Sequence, residues 1–155
     1  MTTLLAIDPG VKNLGWAAFD RCCLRACGLS RATAPAQHAE NVHEGWPCMR
    51  APMEVVLEQM TTRGGTAIRA EDLLRVSEVG AFVAGSMRPA VFRLVPVMAW
   101  KGSIPKDIHH RRVLAVLRGV EQVRLNRDLE KIPKSLQHNV IDAVGLGLYG
   151  VGRRA

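Results

Sequence analysis

Leu4-Leu5-Ala6-Ile7-Asp8-Pro9-Gly10-Val11-Lys12-Asn13-Leu14-Gly15-Trp16-Ala17 is the stretch from which the rest of the chain can be read. Four consecutive apolar residues are the pattern of a short strand buried on both faces. The run ends on Asp8, and a carboxylate at the end of a buried strand is costly unless its charge is compensated, usually by a metal ion. Pro9-Gly10 then turns the chain, so that Leu14–Asp20 can lie back as a second strand. The same spacing also suits a simple hairpin in which Asp8 only stabilises the turn.

The 155 residues suffice for one well-buried core and are read as a single domain, residues 1–155. A composition of 48% hydrophobic and 23% charged residues excludes a disordered chain. No apolar run approaches the roughly 20 residues of a membrane span. No basic segment leads into an apolar core as a signal peptide would. A cytoplasmic protein without a membrane partner is expected. The net charge of +7 and sequence pI of about 9.8 favour a polyanionic partner, nucleic acid first. Aromatic residues, at 5%, are too few for single-strand binding by repeated base stacking.

Cys22, Cys23, Cys27 and Cys48 are expected to be reduced thiols. Cys23-x3-Cys27 with His38-x4-His43 falls within loose zinc-finger spacing. A strand over Cys22–Leu29 would, however, hold the two thiols ~13 Å apart, too far to share one zinc.

Residues 3–8, Leu14–Asp20 and Cys22–Leu29 predict an antiparallel meander. Ser30–Ala51 lacks periodicity and reads as a long loop with a helical piece. Met53–Met60 is a fourth strand carrying Glu58 near its end, followed by the basic loop Thr61–Thr66. Ala67–Met87 is helical, with a broad apolar stripe and small residues suited to close packing. Val91–Val97 reads as a buried strand and Asp107–Arg118 as a basic helix in which His109, His110, Arg111 and Arg112 are grouped. Glu121–Ser135 is charged and ambiguous. Leu136–Gly150 is a helix with His138, Asp142, Gly145 and Tyr149 opposite its apolar side. The pattern is an α/β domain with a mixed sheet.

Asp8, Glu58 and Asp142 are the acidic residues this order of elements could bring together. Carboxylates converging at neighbouring strand ends bind hard divalent cations such as Mg²⁺ or Mn²⁺. Each residue also has a plainer role as a solvated or turn-stabilising side chain.

Ile7-Asp8-Pro9-Gly10-x4-Gly15-Trp16 resembles the first motif of RuvC-type Holliday junction resolvases, members of the RNase H-like nuclease superfamily. Leu57-Glu58-Gln59 resembles the second motif, and His138-Asn139-Val140-Ile141-Asp142-Ala143-Val144-Gly145-Leu146-Gly147-Leu148 the last. Order and gaps match, and the motifs span nearly the whole chain. The looseness of the motifs resembles viral or otherwise divergent versions, for which the host cytoplasm would be the location.

The resemblance implies an RNase H-like fold, with a central five-stranded mixed sheet flanked by helices. It implies a homodimeric endonuclease that hydrolyses phosphodiester bonds in four-way DNA junctions by paired symmetric nicks, in recombination and repair. Two Mg²⁺ or Mn²⁺ ions per site, and no small-molecule cofactor, would be held by Asp8, Glu58, Asp142 and a fourth ligand. The family places that fourth ligand three residues before the final Asp, at Asn139 here; His138, four before, is the better donor and is taken as the fourth ligand. The helix Ala67–Met87 would be the dimer face. Lys12, Arg63, Lys101, Lys106, Arg111 and Arg112 would meet DNA phosphates. The loop after Glu58 lacks the aromatic residue that wedges into junctions in family members. Two other readings stay open: an RNase H-like nuclease of broader branched-DNA or RNA specificity, and a catalytically silent nucleic-acid-binding module.

Overall fold

The structure, a computed structural model, describes residues 3–47, 50–61 and 69–153. Arg63, Cys48 and nearly all of the loop Thr61–Thr66 lie outside them. The described elements are β1 (Thr3–Asp8), β2 (Asn13–Asp20), β3 (Cys23–Arg31), α1 (Pro35–Gly45), β4 (Glu54–Gln59), α2 (Ala70–Ser86), β5 (Val91–Pro96), the one-turn α3 (Val97–Trp100), α4 (Lys106–Val116), α5 (Gly119–Leu129) and α6 (Gln137–Gly150). A 3₁₀ turn, Lys134–Leu136, leads into α6.

The five strands form one sheet in the order β3-β2-β1-β4-β5. The meander β1-β2-β3 is antiparallel, and β4 and β5 run parallel to β1. This is the five-stranded mixed sheet flanked by helices that the motifs implied. β1 lies at its centre because Leu4 through Ile7 can be buried on both faces. Leu4 and Ala6 point to a core shared with α4, α5 and α6, whereas Leu5 and Ile7 point to a core shared with α1 and α2.

The helical piece expected within Ser30–Ala51 is present, whereas β5 and α6 differ from the sequence expectation. The middle of Ser30–Ala51 is a regular helix, α1, opened by Pro35 and burying His38, Ala39 and Val42. Its buried histidine is satisfied: the ring contacts Ser30 Oγ at 2.7 Å and the Val11 carbonyl at 3.1 Å. β5 is an edge strand, not a buried one, and its Phe92 and Leu94 are half-exposed because β5 has a strand neighbour on one side only. α6 carries no solvent-facing polar side; Val140 and every residue from Asp142 to Leu148 are buried. It is buried all round because it lies on β1 and β2 with α4 packed over it.

The ambiguous stretch after Val120 forms most of α5. Its Glu121 is buried and accepts hydrogen bonds from the Leu24 amide at 2.7 Å and the Arg118 amide at 2.8 Å. Arg153 donates to both of its carboxylate oxygens, at 2.7 and 2.9 Å. Cys27 packs on the α5 side of the sheet and His38 on the α1 side, so the loose zinc-finger spacing brings no common site together.

Candidate active site

Asp8 and Glu58 become neighbours through strand pairing. β1 and β4 are parallel with Ile7 beside Leu57, so the next residue on each strand, Asp8 and Glu58, turns to the same face as Ala6 and Val56. That is the face covered by α6, which contributes Asp142 from its second turn. Three carboxylates distant in sequence therefore meet at one corner of the sheet, at the carboxyl ends of β1 and β4.

The depth of α6 at this corner is set by a glycine. Gly15 on β2 lies directly opposite Asp8 in the sheet register. A Cβ at Gly15 would come 2.5 Å from the carbonyl carbon of Asn139 and closer still to its oxygen. The first turn of α6 thus rests on bare backbone beside Asp8. A second close approach lies one turn beyond Asp142, where a Cβ at Gly145 would come 2.9 Å from Trp100 and Val113 and 3.0 Å from His109 Nε2. These contacts dock α3 and α4 onto α6.

The electrostatics record the convergence. Burial, then the negative charges of Glu58 and Asp142, push the carboxyl of Asp8 well above the ordinary carboxylate range, while Lys101 and Lys106 pull it partly back. For Asp142, burial opposes the charged form, but hydrogen bonds from His110 and Lys101 and the charge of Lys101 hold its carboxyl below the ordinary value. Lys101 Nζ lies 2.9 Å and His110 Nε2 3.0 Å from Asp142 Oδ1, and Lys106 Nζ lies 3.9 Å from Oδ2. Behind them His109 is fully buried, with its ring edge-on to Trp100 at 5.0 Å. Its pKa is lowered to about 4, by burial first and by Lys101 second, so it stands as a neutral wall of the site.

The other expected residues are placed as follows. His138 is half-buried within electrostatic reach of Asp142, Lys106 and His110; burial, then Lys106, lower its pKa, and a hydrogen bond with the Ser135 backbone holds its ring. The Asn139 amide turns back to the Leu136 carbonyl at 3.3 Å. Lys101 is mostly buried on Asp142, whereas Lys106 is half-exposed. Lys12 is exposed in the turn that follows Asp8, and Arg112 is exposed on α4. Arg111, also exposed, pairs with Asp107 at 3.2 Å. Arg63 is outside the described residues.

His110 is the residue whose place in the site the sequence did not reveal. Its only signal was the doublet His109-His110 in a basic helix, which reads equally well as a phosphate-facing group.

No protein-family profile and no curated protein sequence matches the chain. Solved structures do. Thermus thermophilus RuvC in complex with a Holliday junction substrate is 16% identical, with a TM-score of 0.59 over 97% of this chain and 95% of that one. The fowlpox virus Holliday junction resolvase is 15% identical, with a TM-score of 0.60 over 97% and 98%. The yeast mitochondrial Holliday junction resolvase Ydc2 is 15% identical, with a TM-score of 0.54 over 97% and 78%. The chain has the RNase H-like fold of these resolvases over nearly its whole length.

Proposed function

We propose that this chain is a metal-dependent endonuclease that resolves four-way DNA junctions by paired symmetric nicks, a crossover junction endodeoxyribonuclease. The observation that carries the reading is the meeting of Asp8, Glu58 and Asp142 at one corner of a fold shared with proteins described as Holliday junction resolvases.

The donor set suits a hard divalent cation such as Mg²⁺ or Mn²⁺. The repulsion expressed in the raised pKa of Asp8 is what such an ion would relieve, and the ammonium of Lys101 partly stands in for it at Asp142. As placed, no three His, Cys, Asp or Glu side chains among the described residues stand close enough to hold an ion. When bound, two such ions supply an activated water and stabilise the leaving oxygen of the phosphodiester. Asp8, Glu58 and Asp142 hold the charge at this corner, with His138 beside them. Lys101 neutralises Asp142 and lies where a scissile phosphate would approach the carboxylates. Lys12, Lys106, Arg111, Arg112 and Arg63 neutralise the flanking backbone phosphates and hold the strand.

Paired nicks on symmetric strands require two sites, which a homodimer supplies. Phe92 and Leu94 on β5, Met98 just beyond it, and Leu74 and Phe82 on α2 are all substantially exposed. Phe92 and Leu94 pair with Val55 and Leu57 and so face the side of the sheet that carries α2. An apolar edge of this kind suits a second copy of the chain.

The test is cleavage of an immobile, end-labelled four-way junction with Mg²⁺, Mn²⁺ or EDTA, beside a matched linear duplex. Metal-dependent symmetric nicks on the junction alone are expected. Cutting of both substrates would replace the reading with a general nuclease. Tight junction binding without cutting would replace it with a silent binding module.

A further inference from the structure

We infer that His110, on α4, is the nitrogen ligand that completes the metal centre, in place of a side chain one turn before Asp142 on α6. The inference rests on the nuclease reading above and names a ligand that reading lacks.

Three observations converge on it. First, the position on α6 three residues before Asp142 offers only the amide oxygen of Asn139, whose amide nitrogen is bonded to the Leu136 carbonyl and whose backbone is pressed against Gly15. Second, the other imidazole in reach, His138, is held by the Ser135 backbone, whereas the His110 ring is already on the carboxylate. Third, the separation is suitable. Ligands at ~2.1 Å from an octahedral ion stand about 3.0 Å apart along a shared edge. His110 Nε2 and Asp142 Oδ1 are 3.0 Å apart. The pair can therefore become one edge of a coordination octahedron with little displacement of either helix.

The surroundings favour such a role. Close packing of Val113 and His109 against Gly145 fixes α4 on α6, so that His110 and Asp142 are carried by one rigid unit. Only about a sixth of the His110 side chain is exposed, which limits the rotamers it can lose on binding. Coordination would use the lone pair of Nε2, so the proton that Nε2 donates to Asp142 in the metal-free protein would be released to solvent, or the ring would change tautomer, leaving its single proton on Nδ1. With an ion held there, Asp142 would no longer depend on Lys101 for charge compensation, and that ammonium would be free to meet a phosphate.

Pulsed electron paramagnetic resonance of bound Mn²⁺ tests this without any turnover, because a directly coordinated ¹⁴N modulates the spin echo. Wild-type protein is expected to bind Mn²⁺ with ¹⁴N modulation. His110→Ala should abolish the modulation and weaken Mn²⁺ on the order of tenfold or more. His110→Gln, which keeps a donor for Asp142, should not restore the modulation, whereas His138→Ala should retain it. Far-ultraviolet circular dichroism verifies that each variant is folded. Modulation that survives in His110→Ala, or disappears in His138→Ala, would overturn the assignment and leave the nuclease reading standing. Bound Mn²⁺ without modulation in wild type would reduce His110 to a residue that orients Asp142, which also overturns it. A wild-type protein that binds no Mn²⁺ would remove the nuclease reading, and this inference with it.

Discussion

Replacing Gly15 with alanine tests the claim that the first turn of α6 sets the distance between Asp8 and Asp142. The new Cβ would fall 2.5 Å from the Asn139 carbonyl carbon and nearer to its oxygen, where 3.0 Å is about the closest approach real Cβ atoms make. Both obstructing atoms are backbone, so no side-chain rotation relieves them. Separating β2 from α6 by about an ångström is the remaining escape, and overpacking of this kind costs about 1–3 kcal/mol. Because Gly15 is paired with Asp8, the same displacement carries Asp142 away from Asp8. A misplacement of about 1 Å in a catalytic constellation costs on the order of a hundredfold in rate. Urea unfolding should therefore show a lower midpoint with an unchanged slope, and junction cleavage should fall by about two orders of magnitude at saturating metal. Wild-type stability and cleavage in Gly15→Ala would refute the idea that bare backbone at this position sets the site.

Further expectations concern charge. Asp8→Asn should stabilise the metal-free protein, since it removes one of three crowded carboxylates, and should abolish cleavage by at least about a hundredfold while junction binding persists. Thermal melts in EDTA and single-turnover cleavage measure the two effects. Arg153→Ala leaves the buried Glu121 carboxylate without its bidentate partner and should cost about 3–5 kcal/mol by chemical denaturation. In the native protein burial opposes the charge of Glu121, but hydrogen bonds from Arg153 and from the Arg118 and Leu24 amides lower its pKa from 4.5 to about 2. Its contribution to stability is therefore full above pH 4.5 and is lost as pH falls through about 2, a dependence that unfolding curves at stepped pH should show and that Arg153→Ala should flatten. Lys12→Ala and Lys106→Ala should each lower the slope of log affinity against log salt by about one on junction DNA; unchanged slopes would place them away from phosphate.

What could be read from the sequence was whatever local pattern and chemistry decide together. The apolar run Leu4–Ile7 ending on Asp8 indicated a central strand with a carboxylate at its end, and the structure has that strand at the centre of the sheet. The distances that make a site were not legible, because they depend on packing between remote elements. α6 shows this best: its alternation of small and apolar residues reads as one buried stripe, but Gly145 and Gly147 let aromatic rings of other elements approach the remaining surface. β5 fails in the opposite sense, since its apolar residues look like core until the sheet order leaves it at an edge. His110 was hidden because a histidine on a basic helix faces DNA or a carboxylate according to how α4 packs, and sequence spacing does not encode that angle. The sequence placed Lys101 among phosphate contacts; its first partner in the structure is Asp142.

The site draws its carboxylates from the first strand, the fourth strand and the sixth helix. Such long-range assembly makes the order of synthesis matter. A chain still emerging from the ribosome exposes Asp8 and Glu58 long before α6 exists, and until then Asp142 is missing from the corner. Assembly of the acidic corner is thus delayed by topology: on the nuclease reading proposed above, a basic nascent chain would hold no complete cutting centre until α6 has docked. On that reading, truncation or misdocking of α6 would leave the basic surface in place and remove Asp142 from the corner.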